Sequence, residues 1–120
     1  MIFPALAYNG GMILGGEKIS ALLREFRTDL GQIYGSRLRG IYLFGSYARG
    51  DMDEESDLDV LIVLDDFDSY AKEIDRVSEI GARLSLEFGV SLSKIFTRER
   101  DWMHGETPFL ANVRGESVPA

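Results

Sequence analysis

Two short stretches hold the residues whose types and spacing could do chemistry. Gly45 and Ser46 close one apolar run, and Asp57 and Asp59 stand one residue apart at the head of the next. Glycine lets a backbone come close to a ligand. A serine opening a short helix, Ser46 to Arg49, presents free N–H groups of the kind that bind phosphate oxygens. Arg49 adds a cationic fork that can reach a phosphate; pairing with the acidic loop Asp51 to Glu55 is its equal alternative. Asp57 and Asp59 lie two apart on an extended chain, so they project from one face. Two like charges side by side repel and are disfavoured when buried. An oxygen pair of this kind suits Mg²⁺, which completes its octahedron with water and phosphate oxygens. Two such ions, roughly 3.5–4 Å apart, could activate an attacking hydroxyl and steady a leaving group.

Plainer readings compete. Gly-Ser is commonly only a turn, and Asp-x-Asp is commonly solvated charge. The aspartates here abut a wholly apolar segment, which weighs against the second. Ser56 is expected to order the loop before them.

The elements that must position these residues follow from periodicity. Ile19, Leu22, Leu23, Phe26, Leu30, Ile33 and Tyr34 recur at helical steps from Glu17, and Gly35 is a natural stop. Residues 38–44, LRGIYLF, form a strand ending at Gly45. Asp51 to Ser56 is a polar loop. Residues 58–64, LDVLIVL, have the near-continuous apolar character of an interior strand. A second helical stripe runs through Tyr70, Ile74, Val77, Leu84 and Phe88, closed by Gly89. Residues 90–97 suggest a third strand, and two short helices surround Trp102 and Phe109. The order helix, strand, strand, helix, strand, helix gives an α/β (α+β) fold, a small mixed β-sheet with helices packed on one face. Tyr34 and Tyr42 are expected in the core, and Trp102 with Phe109 is expected to pack the last helices. Asp65, Asp66 and Asp68 read as a solvated turn and helix start.

Composition narrows the chemistry. The 120 residues include no cysteine, which excludes a disulfide framework, a thiolate nucleophile and cysteine-ligated zinc. His104 is the only histidine, so a multi-histidine metal site is excluded too, and a surface position is expected for it. A net charge of −7 argues against direct, stable nucleic-acid binding. A nucleotide site is not forbidden, because divalent cations supply local positive charge. No run approaches the ~20 apolar residues of a membrane span. Residues 1–16 contain no Lys or Arg and so lack the charged start of a signal peptide. They are read as a loose leader, with Met12 an alternative start, and residues 17–120 as one domain suited to the cytoplasm.

GSYARG followed by SDLDVLIV resembles the signature of the minimal nucleotidyltransferases of the DNA polymerase beta superfamily. Their pattern GSx10DxD is matched by Gly45, Ser46, Asp57 and Asp59, and Ala48, Arg49, Gly50 and Ser56 match as well. The similarity extends from about Glu17 to Thr97, and the tail PFLANVRGES is similar to the closing helix of many small members. The resemblance implies a mixed sheet flanked by helices, and transfer of a nucleoside monophosphate from an NTP to a hydroxyl with release of pyrophosphate. It implies that Gly45, Ser46 and Arg49 bind the nucleotide, and that Asp57 and Asp59 are the catalytic, Mg²⁺-ligating pair.

Small stand-alone members resemble the antitoxins paired with HEPN-type ribonuclease toxins, which move AMP from ATP to a toxin tyrosine. The expectation is therefore an AMP-transferring antitoxin that uses Mg²⁺ and ATP, with a HEPN toxin as partner. A binding module that masks its partner without chemistry is the alternative, and a homo-oligomeric small-molecule nucleotidyltransferase is a third. One departure stands out. Active members usually carry a third carboxylate on the following strand, where this chain has Ser91 and Ser93, poorer Mg²⁺ ligands. Either another acid such as Asp51, Asp53 or Glu87 assists, or the acceptor-side ion is weakly held.

Overall fold

A computed structural model describes residues 14–120. Helix α1 spans Gly16–Tyr34 and buries Ile19, Leu22, Leu23, Phe26, Leu30 and Tyr34, one stripe at helical spacing. Ile33 does not share it: the residue is 38% exposed, on the edge of the stripe. Gly35, at φ +55°, ends the helix and begins a single 3₁₀ turn, Gly35–Arg37. Most of the leader expected at residues 1–16 lies outside the described residues. Leu14, at its end, is buried, and its N–H donates to the Tyr47 hydroxyl at 3.2 Å, so this part of the leader belongs to the domain.

Strand β1, Leu38–Phe44, runs into helix α2, Gly45–Arg49, and strand β2, Leu58–Leu64, follows after a loop. Helix α3, Tyr70–Phe88, starts where the Ser69 hydroxyl accepts the Lys72 N–H, and ends at Gly89 in the left-handed region. Strand β3 is Leu92–Arg98 and helix α4 Glu99–His104. Helix α5, Pro108–Glu116, is capped by the Thr107 hydroxyl with proline in its first turn. A two-residue strand β4, Val118–Pro119, was not read from the sequence. The sheet order is β3-β2-β1-β4; β1 is antiparallel to β2 and β4, and β2 is parallel to β3. The parallel pair requires a crossover, which α3 supplies.

Every residue of β2 except Asp59 is buried. Leu58, Val60, Ile62 and Leu64 enter a core shared with α1 and α3, whereas Leu61 and Val63 face a second cluster. That cluster contains Phe44 and Val113, with Tyr42, Ile95 and Trp102 against it. The Tyr42 and Trp102 rings lie 4.7 Å apart, and Phe44 meets Phe109 edge-on at 5.9 Å. The main helical layer thus occupies one face as expected, and α4 with α5 adds a smaller cover on the other. β2 explains why: a strand apolar on both sides needs cover on both.

A third feature braces the main layer. Arg83 on α3 engages Glu25 and Asp29 of α1 and Glu87 of its own helix. Among the described residues no helix is long and apolar enough to cross a membrane.

Candidate functional site

The site is built on the β1–β2 pair. Phe44 lies directly opposite Asp59 in the antiparallel register. The next residue, Gly45, has φ +75°, a left-handed conformation that L side chains rarely adopt. Its α-carbon lies under the Asp59 carboxylate so closely that a Cβ there would overlap Oδ2. One glycine therefore meets two demands at once, a sharp exit from β1 and room for an acid on β2. The small turn and the second aspartate are in direct contact.

Helix α2 is short because Gly50, also at positive φ, closes it with an N–H donated to the Ser46 carbonyl at 2.8 Å. The loop that follows is tied to itself. The Ser56 hydroxyl accepts the Asp53 N–H at 2.9 Å, and the Asp53 carboxylate accepts the Glu55 N–H at 2.9 Å. Met52 is buried beneath it. The loop then delivers Asp57, exposed, and Asp59, half-buried, to the head of β2.

Burial first, and the neighbouring Asp57 charge second, push the Asp59 carboxyl above the usual range. Glu116 pushes the same way, while the Ser93 hydroxyl and Arg49 oppose it. Ser93 is the register partner of Asp59 on β3, so a hydroxyl stands beside Asp59 where a further acid was sought. Removing it by Ser93→Ala is expected to leave Asp59 harder to ionise and to weaken divalent-ion binding about tenfold or more, as loss of a group supporting a ligand typically does. Isothermal titration with Mg²⁺ checks this.

Of the two interactions weighed for Arg49, the structure shows the loop pairing, together with a contact to the far end of the chain. Its Nε donates to Asp51 at 3.2 Å, the expected loop pairing, and its Nη1 donates to Glu116 Oε2 at 2.9 Å. Glu116 Oε1 in turn accepts the Gly45 N–H at 3.0 Å. Sequence reasoning gave Glu116 no role, and no local signal could have supplied one, since its two partners lie 71 and 67 positions away.

Gly45, Arg49 and Asp59 therefore meet, Asp57 adjoins them through its effect on Asp59, and Ser46 sits in the first turn of α2. Asp53 remains in the loop, and Glu87 pairs with Arg83 on α3. His104 is exposed, Tyr34 is buried and donates to Glu73, and Tyr42 is half-buried against Trp102. Asp65 and Asp66 are paired with Arg37 and Arg98 at the opposite end of β2.

The donor set fits a divalent cation. Two carboxylates, one of them half-buried and resisting ionisation, lose their mutual repulsion when a cation lies between them, and water and phosphate oxygens can complete its shell.

A family model for the nucleotidyltransferase domain matches residues 23–108. A candidate protein adenylyltransferase of Methanocaldococcus jannaschii is 39% identical over 82 residues, covering 68% of this chain and 82% of that one. The protein adenylyltransferase MntA of Thermococcus cleftensis is 34% identical over 70 residues, covering 58% of this chain and 69% of its own length. A crystal structure of a toxin–antitoxin with AMP-PNP superposes with a TM-score of 0.53 at 23% identity, over 86% of this chain and 69% of that one. At that identity the likeness is one of fold.

Proposed function

The chain belongs to the nucleotidyltransferase domain family, and from that premise we propose that it transfers AMP from ATP to a hydroxyl of a partner protein. The observation that carries the reading is the Asp59 carboxylate seated against the Gly45 turn, which brings the acidic head of β2 beside the glycine–serine start of α2. Family chemistry of this kind pairs a divalent metal with a nucleotide. We assign the metal as Mg²⁺ and the nucleotide as ATP.

Asp57 and Asp59 would hold the ion, which when bound neutralises them and polarises the phosphates. Gly45 and Ser46, at the start of α2, orient the triphosphate, and Arg49 balances its charge. The acceptor oxygen forms a bond to the α-phosphorus, the bond to the β-phosphate bridge breaks, and pyrophosphate departs. The hydroxyl proton is lost to solvent.

Relatives named protein adenylyltransferase support a protein as acceptor. The fold shared with a toxin–antitoxin crystallised with AMP-PNP fits a toxin as that protein and an adenine nucleotide as donor. We take the acceptor to be a tyrosine of a HEPN-type ribonuclease, and the chain to be its antitoxin.

Incubation with α-labelled ATP, Mg²⁺ and the product of the adjacent gene tests the reading. Label on the neighbour is expected, with loss of its toxicity. The masking alternative has one observation behind it, the serine in place of an acid opposite Asp59. It wins if no label transfers and neutralisation survives replacement of both aspartates by alanine.

A further inference from the structure

Glu116 engages, with its two carboxylate oxygens, two of the groups just assigned to the triphosphate. Oε1 takes the Gly45 N–H at 3.0 Å and Oε2 takes the Arg49 guanidinium at 2.9 Å. A carboxylate bridging a backbone amide and a guanidinium uses the same donors, with the same sign of charge, as a phosphate oxygen pair. Only about a quarter of its side chain is exposed, so these contacts are shielded better than those of an open surface pair.

The backbone behind it is fixed. Glu116 is the last residue of α5, the Ser117 N–H donates to the Val113 carbonyl at 2.8 Å, and Val118 pairs with Leu43 of β1. Release of the two donors therefore needs only side-chain rotation of Glu116, with α5 and β4 left in place.

Resting on the nucleotidyl-transfer reading, the geometry points to Glu116 as an internal competitor for the triphosphate. It holds the Gly45 N–H and Arg49 in the nucleotide-free protein and surrenders them when nucleotide enters. This keeps Arg49 and the Gly45 turn ordered between turnovers. It also lowers nucleotide affinity, since the binding-competent form is only a fraction of the resting population. Weak single-phosphate anions are disfavoured most, because they displace an intramolecular carboxylate with few contacts of their own.

Calorimetric titration of the full chain with Mg²⁺ and the non-hydrolysable analogue α,β-methylene-ATP tests this. Glu116→Gln keeps the size of the side chain and an acceptor for Gly45 but removes the charge. It is expected to bind the analogue roughly tenfold more tightly, the factor for an open form that is about a tenth of the population. Unchanged or weaker binding by this variant, with a wild-type melting temperature, overturns the competitor role and leaves Glu116 as a structural brace. Failure of both wild type and variant to bind overturns the nucleotide reading, and the competitor with it. In the unmodified protein the analogue is expected to shift the carbon resonance of the Glu116 carboxylate. A resonance that stays in place while the analogue binds also overturns the proposal.

Discussion

Asp59→Asn is expected to cripple nucleotidyl transfer and at the same time to make the metal-free protein more stable at neutral pH. The loss of activity is expected to reach about 10²–10³-fold, the usual scale when one electrostatic support of the transition state is removed, here the cation that the carboxylate would hold. The gain in stability comes from the same carboxylate. Asp59 is the one residue of β2 that is not buried, it is half-covered, and burial with the Asp57 charge raises its carboxyl above the ordinary range.

The sign follows from linkage. A raised carboxyl binds its proton more tightly in the folded chain than in the unfolded one. The penalty for ionising it is therefore absent below the unfolded value of about 3.9, grows as pH rises past it, and is complete above the folded value. Asparagine carries no such penalty. Melting temperatures of wild type and Asp59→Asn should thus coincide near pH 3–4 and separate by a few degrees at pH 7. Adding Mg²⁺ should raise the wild-type melting temperature and leave the variant unmoved. Equal melting temperatures across the whole range would show that the acid is relaxed where it stands.

The second large effect concerns the glycine beneath that acid. Gly45→Ala adds a Cβ at φ +75° and drives it into the Asp59 carboxylate. The backbone conformation alone costs about 1–2 kcal/mol for an L residue. The collision adds to it, for a total of roughly 2–3 kcal/mol. Activity should fall about 10²-fold because a displacement near 1 Å at a reacting centre has that effect. Gly89→Ala serves as the control. Gly89 has a similar φ, +69°, but a Cβ there meets nothing within 4 Å. Chemical denaturation of both variants separates the two contributions: the excess loss at position 45 measures the clash. Equal losses at the two positions would mean that Asp59 moves aside freely.

The parts of this molecule that could be read from sequence are those encoded locally. Strands β1 and β2 appear over residues 38–44 and 58–64 as expected: β2 is a near-continuous apolar run, and β1 is a short, largely apolar segment ended by Gly45. The stripe of α1 was nearly complete; Ile33 misled because an apolar residue at the edge of a helical face can stay partly in water. The meeting of Gly45 with Asp59 was also legible, since an antiparallel pair joined by a short connection forces adjacent strand ends together.

What was hidden depends on contacts far apart in the chain. Strand β4 is only two residues, one of them proline, and it exists because β1 has a free edge to pair with. Glu116 reaches the site only because α5 folds back across the sheet. The second apolar face could have been anticipated. LDVLIVL is apolar at successive positions, which calls for cover on both sides, yet the short helices after residue 98 carry a weak pattern that does not advertise where they lie.

The groups proposed to hold the nucleotide and its ion all belong to one hairpin, from Gly45 to Asp59. Their relative placement rests on pairing close in sequence, the kind that closes early during folding and opens late in native fluctuations. Amide exchange should accordingly find the β1–β2 ladder among the slowest sites in the chain.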